Sequence, residues 1–451
     1  MPQKITVIGA GLAGSEAAWQ ISREGIPVTL CEMRPTRMTA AHTTPNFAEL
    51  VCSNSFGSDA PNSASRILKD ELTQLDSLIL SVARRLSVPA GTSLAVDRNL
   101  FSAAITETLK SSPLITIQNS EMPVIPEEGV VVIATGPLTT DALAADLCRL
   151  FGQKSLYFYD AISPIVSADS LDMDKLYFAN RYDKGGTKDF LNVPLTREQY
   201  DGLVDDLLTG EVVLPHDFEK EKYFEGCMPI EAIAARGRQT LAFGPMKPVG
   251  LNHPITGKRP YAVVQLRTEN RYMSAYNLVG FQTKLKYKEQ ERVFRKLPGL
   301  ENAEFLRLGS MHRNTYIDSP RVLQPTLQLL AAPRVFIAGQ LTGTEGYLES
   351  SATGLLAGKN ASRLARGLEP VRLPADTMLG ALLSTITDPT RKEFQPMNVN
   401  MGLLPPLIFP ETEAGKRKVK LDKQARNAGL ASLAARRMTA WLAESAFRTL
   451  Y

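Results

Sequence analysis

The chain has 451 residues, 44% of them hydrophobic and 22% charged, with a net charge of +4. That composition excludes a disordered or fibrous chain and allows about three domains of ~150 residues, or one large α/β domain carrying an insertion. Four widely spaced cysteines (Cys31, Cys52, Cys148, Cys227) and four histidines, with no C-x-x-C, give neither a disulfide framework nor a zinc pattern, so no metal is expected. No apolar run approaches the ~18 residues of a membrane span. The apolar start, Ile5 to Ala13, is too short for a signal peptide, so a cytoplasmic protein with reduced thiols is expected.

In chain order, Ile5-Thr-Val-Ile8 predicts a buried parallel strand that enters Gly9-Ala10-Gly11-Leu12-Ala13-Gly14. A helix with Ala17, Ala18 and Ile21 follows and stops at Gly25. The second strand, Val28-Thr-Leu-Cys31, ends in Glu32 and completes a β-α-β unit. The apolar period over 65–86 predicts one amphipathic helix, and Phe101, Ile105 and Leu109 predict another. Val130-Val-Val-Ile133 predicts a further strand running into Gly136, and Arg334-Val-Phe-Ile-Ala338 one more, followed by a helix from about Ser350 to Arg366. Between roughly 180 and 318, tyrosines, prolines and mixed charges replace this rhythm, as an inserted domain would. The expected fold is therefore α/β: a discontinuous Rossmann-like domain (1–180 and 319–451, the latter ending in basic helices) interrupted by an α+β insertion over 181–318.

The glycine loop lies between a strand and a helix, with Glu32 closing the next strand. Gly9 permits the tight turn, Gly11 lets backbone approach a pyrophosphate, Gly14 permits close helix–strand packing, and the helix N-terminus attracts phosphate. Glu32 can accept from both ribose hydroxyls and repels a 2′-phosphate, which disfavours NADP there. The distant strand leading into Gly339-Gln340-Leu-Thr-Gly343-Thr-Glu-Gly346-Tyr347 suits the isoalloxazine end of an extended cofactor, so FAD is expected. Gln340 departs from the Asp that flavoproteins often carry there. Gly354-Leu-Leu-Ala-Gly358-Lys359-Asn360 looks like a P-loop but has the wrong spacing and no Ser or Thr after Lys359.

Cys31 and Cys148 read as small core residues. Cys52, among small polar residues, and Cys227, between glycine and proline and followed by Arg236 and Arg238, read as candidate nucleophiles, because nearby cations favour a thiolate. From Lys258 to Lys296 ten Lys or Arg face three Glu, interleaved with aromatics, and from Lys416 to Arg437 eight face one Asp. Such surfaces suit phosphate contacts and base stacking.

Taken together, these segments resemble one family, the bacterial folate- and FAD-dependent tRNA (uracil-5-)-methyltransferases, TrmFO. The runs that carry the resemblance are Val7-Ile-Gly-Ala-Gly-Leu-Ala-Gly-Ser-Glu-Ala-Ala-Trp19, Glu32-Met-Arg-Pro35 and Phe47-Ala-Glu-Leu-Val-Cys-Ser-Asn-Ser55. Further along come Glu225-Gly-Cys-Met-Pro-Ile-Glu231, Phe243-Gly-Pro-Met-Lys-Pro-Val-Gly250, Arg259-Pro-Tyr-Ala-Val-Val-Gln-Leu-Arg267, Met311-His-Arg-Asn-Thr-Tyr316, Ala338-Gly-Gln-Leu-Thr-Gly343 and Gly346-Tyr-Leu-Glu-Ser350. Family members resemble the longer GidA/MnmG enzymes, whose long helical C-terminal part is not expected here. The resemblance implies methylation of carbon 5 of uridine 54 in the tRNA T loop, with carbon from 5,10-methylenetetrahydrofolate and reducing equivalents from FAD recharged by NAD(P)H. It maps the paired cysteines onto Cys52 and Cys227. Of these, Cys227 is expected to add to uracil carbon 6, which activates carbon 5, and Cys52 to stand by the isoalloxazine. FAD is expected on Gly9, Ala10, Gly11, Leu12, Ala13, Gly14, Glu32, Gly136, Gly339, Gln340, Gly343, Gly346 and Tyr347. Folate is expected near His312, and RNA phosphate on Arg236, Arg238 and Lys247. Rival readings are the same chemistry on ribosomal RNA, an FAD/NAD(P)H thiol oxidoreductase, and a flavin-bearing RNA-binding protein without catalysis. No membrane and no obligate protein partner are expected.

Overall fold

The computed structural model describes residues 3–152, 156–183, 187–213, 223, 228–407, 422–445 and 447. Five parallel strands form the first sheet in the order Val335–Ile337, Val130–Ile133, Ile5–Ile8, Val28–Cys31, Ile115–Gln118. Ile5–Ile8 and Val130–Ile133 are buried at every position, as continuous β-branched runs in a doubly covered parallel sheet should be. The helix Leu12–Arg23 packs across the long helix Tyr347–Ala365. At that crossing a Cβ on Gly354 would lie 2.2 Å from the Ala13 carbonyl oxygen, and one on Gly358 2.6 Å from that of Ala17. The P-loop look-alike is therefore a glycine seam that lets two backbones touch.

The expected single helix over 65–86 is two helices, Ala64–Gln74 and Leu78–Arg85. The chain breaks at Asp76, which takes φ +59°. The buried Glu16 carboxylate accepts from Ser77 Oγ (2.7 Å), Leu78 N (3.1 Å) and Ile79 N (2.9 Å), closing the start of the second helix. The apolar period runs through the break, so periodicity alone misses it.

The second sheet is antiparallel, in the order Tyr177–Phe178, Leu191–Leu195, Ala262–Thr268, Ala275–Leu278, Ile165–Ser167, Phe305–Arg307. It has its own core, including Val193, Tyr200, Leu241, Val264 and Phe294, apart from the core of the parallel sheet. Two of its strands precede residue 181. The crossover between the units is the antiparallel pair Leu156–Ala161 and Met311–Tyr316, and there we place the boundaries of the insertion. The C-terminal helix Lys423–Glu444 buries Leu430, Ala434, Met438 and Leu442 in the core of the parallel-sheet unit. Among the described residues no helix is long and apolar enough to cross a membrane.

Candidate functional site

A cleft with an empty volume of about 1050 Å³ runs along the carboxyl ends of the parallel strands, the place where open α/β sheets bind ligands. Gly9, Gly11, Leu12, Ala13, Glu32, Gly136, Gly339, Gln340 and Tyr347 line it. Gly9 takes φ +96°, and a Cβ there would sit 2.7 Å from the Ala134 carbonyl oxygen. A Cβ on Gly14 would lie 1.7 Å from the Gly9 oxygen, so Gly14 shapes the loop from behind. A Cβ on Gly11 would meet nothing within 4 Å, which leaves open space in front of a helix whose N-cap makes no side-chain bond. That unfilled cradle fits a pyrophosphate.

Glu32 lines the cleft beyond the glycine loop. Its Oε2 accepts from Ala10 N (2.8 Å), and its Oε1 from Arg34 N (3.1 Å) and Nε (2.9 Å). Burial favours protonation of Glu32, but the Arg34 hydrogen bond and charge outweigh it and hold the carboxyl below its ordinary range. A carboxylate fixed in this way fits ribose hydroxyls, and the cleft as a whole fits an FAD-like dinucleotide. Arg34, fully buried, also donates to the Asn46 carbonyl at 2.9 Å and pairs with Glu49 at 3.4 Å. His42 bonds Thr39 Oγ1 through Nδ1 at 2.6 Å, and burial, then the Arg34 charge, bring its pKa down to about 4. Sequence reasoning missed Arg34, His42 and Glu49. The available signal was an Arg two places after Glu32.

At the other end, a 3-10 turn, Gly339–Thr342, leads through Gly343 (φ +77°) and Gly346 (φ +111°) into the helix from Tyr347. Gly343 packs against Phe394 and Gly346 is the helix N-cap; neither is among the residues lining the cleft. Gln340, in the place of the common Asp, donates to Glu345 Oε2 at 2.7 Å.

Cys52 is half-buried just beyond the lining residue Val51. Its N–H and that of Ser53 donate to the Tyr347 hydroxyl at 2.8 and 3.2 Å, and its Sγ lies 3.9 Å from the Ala161 carbonyl oxygen. The same loop is tied to the insertion: Asn54 Nδ2 donates to the carbonyls of Val96 (2.9 Å) and Thr268 (3.0 Å). Arg98 donates to the Leu50 carbonyl and pairs with Glu269 at 2.7 and 3.1 Å. Cys52 thus sits on the wall shared by the two units. Cys31 is buried as expected, whereas Cys148 is only half-buried on its helix Asp141–Phe151.

Cys227 lies outside the described residues. The backbone of His312 stands opposite that of Asp160 in the crossover ladder. Arg236 caps the C-terminal end of the short helix Ile230–Ala235, and Arg238 pairs with Asp205 at 2.7 Å and Asp201 at 3.5 Å. Lys247 is half-buried. Much of the basic stretch 258–296 is likewise paired: Lys286 with Glu211, Arg292 and Lys296 with Asp206, and Arg295 with Glu291. Asp201, Asp205 and Asp206 come from the helix Arg197–Thr209, and a linear charge count cannot see them. Such exposed pairs are worth little and exchange easily for phosphate. Among the described residues no group of three His, Cys, Asp or Glu is placed to hold a metal.

A family model described as "Glucose inhibited division protein A" matches residues 4–369. The chain is 54% identical over 443 residues to the methylenetetrahydrofolate--tRNA-(uracil-5-)-methyltransferase TrmFO of Pelobacter propionicus, covering 98% of this chain and 95% of that one. To the protein of the same name from Heliobacterium modesticaldum it is 57% identical over 413 residues, covering 92% and 93%. Among solved structures it is similar in fold to Aquifex aeolicus GidA, with a TM-score of 0.65 at 18% identity over 86% of this chain and 67% of that one. With a cleft that fits a dinucleotide, a half-buried cysteine just beyond its lining and more than half its residues in common with these relatives, the chain belongs to the TrmFO family.

Proposed function

We propose that this chain transfers the one-carbon unit of 5,10-methylenetetrahydrofolate to carbon 5 of uridine 54 in the tRNA T loop, in the cytoplasm. The observation that carries the reading is Cys52, held by Tyr347 at the reacting end of a dinucleotide cleft, on the wall shared with the insertion. When bound, FAD supplies the hydride that turns the transferred carbon into a methyl group, and NAD(P)H restores it. The Gly9–Gly14 loop would hold the pyrophosphate, Glu32 the ribose, and Gly136, Gly339, Gln340 and Tyr347 the ring end.

We assign Cys227 as the thiolate that adds at carbon 6 and Cys52 as the residue on the flavin side. The first described residues after Cys227 in the chain, and the segment they bond, support the pairing. Ile230 N donates to the Gln282 carbonyl (2.7 Å), and Thr283 N reaches the Ile162 carbonyl (3.4 Å), next to the Ala161 oxygen that meets Cys52 Sγ. We also assign the pterin to the neighbourhood of His312, and the phosphates to Arg236, Arg238 and Lys247, with Arg238 exchanging Asp205 for RNA.

The test is methyl incorporation into unmodified tRNA, with labelled methylenetetrahydrofolate compared against labelled S-adenosylmethionine. Label from the folate at uridine 54 supports the reading. Label only from S-adenosylmethionine, or only in ribosomal RNA, contradicts it.

A further inference from the structure

Arg267 is the group the cofactor cleft leaves unexplained. It lies on the insertion strand Ala262–Thr268, is only 8% exposed, and its Nε is buried with no hydrogen-bond partner. The carboxylate nearest in sequence, Glu269, is already engaged by Arg98 through both oxygens and by Asn277. Arg267 forms no ion pair with it among the described residues. Buried charges are ordinarily paired, and one kept without a partner costs stability unless a ligand completes it.

Its surroundings identify the place it serves. The Thr268 carbonyl, one residue on, accepts from Asn54, two residues after Cys52. Arg98, bonded to Glu269, also donates to the Leu50 carbonyl, two residues before Cys52. The Cys52 loop is therefore clamped on both sides against the end of the strand that carries Arg267. Asn54 Oδ1 is a second buried polar atom with no partner, and its orientation is fixed by the two carbonyls that its Nδ2 bonds. The wall that carries the Cys52 loop thus holds two buried polar atoms without a partner, a cationic N–H on Arg267 and an amide oxygen two residues after Cys52. Burial lowers the pKa of the Arg267 guanidinium, and the charges of Glu269, Arg98, Cys52 and Tyr347, in that order, act on it.

We propose that Arg267 holds the carbon-4 oxygen of the target uracil and carries the negative charge that develops there. The proposal rests on the reading above, in which a thiolate adds to carbon 6. As the sulfur–carbon-6 bond forms, the carbon-5/carbon-6 π pair moves into a carbon-4/carbon-5 double bond, and the carbonyl π pair moves onto oxygen. That oxygen becomes an enolate, and no proton or external electron is needed. A guanidinium with an open N–H, fixed in a dry wall, stabilises such an oxygen more than the neutral carbonyl it came from. A folate ring carbonyl gains no such charge, which favours the base as the occupant.

The experiment uses the FAD-loaded full chain with 5-fluorouridine-containing tRNA, whose fluorine blocks the final elimination and traps the thiol adduct. Wild type, Arg267→Lys and Arg267→Gln are compared for adduct rate on denaturing gels, for flavin absorbance, for folate affinity and for melting temperature. The expected result is an adduct roughly 100-fold slower in Arg267→Gln, the usual size for loss of one oxyanion donor, with partial recovery in Arg267→Lys. Flavin content and folate affinity stay at wild-type values. The Arg267→Gln melting temperature stays level or rises, because an unpaired buried charge has been removed, whereas a merely structural arginine would lower it. A wild-type adduct rate in Arg267→Gln, or a loss confined to folate affinity, overturns the assignment. A wild-type enzyme that forms no adduct overturns the functional reading itself, and this inference with it.

Discussion

Tyr347 and Cys52, 295 residues apart in the chain, are joined by a 2.8 Å hydrogen bond from the cysteine N–H to the tyrosine hydroxyl. The same oxygen takes the Ser53 N–H at 3.2 Å, so one side chain fixes the backbone that presents the thiol. Burial, and after it the Cys52 charge, raise the Tyr347 pKa well above its ordinary 10, so the hydroxyl keeps its proton through the working pH range. Tyr347→Phe leaves two N–H groups unsatisfied, at a cost of ~1–3 kcal/mol in a buried site. Methyl transfer should fall at least roughly tenfold with flavin absorbance retained. A variant that methylates normally would show that the Cys52 loop needs no such support.

The glycines of the loop separate by function. Gly11→Val places a branched side chain in open space, so the protein should fold and elute as wild type but lack flavin absorbance. Gly14→Ala drives a methyl group against the Gly9 carbonyl, where the free distance is 1.7 Å, and should lower stability by ~1–3 kcal/mol or more. Thermal melts of both apoproteins decide it. A destabilised Gly11→Val, or a neutral Gly14→Ala, contradicts the geometry.

Arg98 and Glu269 bind the nucleotide-binding unit to the insertion through a buried two-point ion pair. Arg98→Met or Glu269→Gln alone strands a buried charge and should cost ~3–5 kcal/mol. The double substitution should cost clearly less than the sum, which urea unfolding would show as a non-additive cycle. Additive losses would mean that the pair does not couple the units.

His42 gives a pH signature. Its folded pKa of about 4 lies below the ordinary 6.5, so between these values the unfolded chain binds the extra proton. Stability therefore rises with pH from about 4 to 6.5 and is level above that. With allowance for its partial exposure the effect is on the order of 2 kcal/mol. His42→Asn should flatten this part of a melting-temperature profile, and an unchanged profile would remove His42 as its source.

The cofactor half was largely legible in the sequence, because buried parallel strands and a glycine loop leave short, local patterns. Val130–Ile133 and the Gly9–Gly14 loop stand where their residues place them. What escaped depends on partners distant in the chain. The Asp76 break answers to Glu16, Arg238 answers to Asp205, and Arg34 reaches Glu49. The boundary of the insertion escaped for the same reason, since Ile165–Ser167 declares its sheet only by pairing with Ala275–Leu278. Cys52 was found from composition and resemblance, but its hold by Tyr347 was not, because no local pattern links the two.

The central claim is that a one-carbon unit passes from folate to uridine 54 and is reduced there. It is tested most directly by supplying methylenetetrahydrofolate with a dideuterated methylene group to the FAD-loaded enzyme, NAD(P)H and unmodified tRNA, then weighing the nucleoside from position 54. The account predicts a methyl group that keeps both donor deuterium atoms and takes its third hydrogen from outside the donor. A position 54 that stays unlabelled, or that gains a methyl group only when S-adenosylmethionine is added, would contradict it.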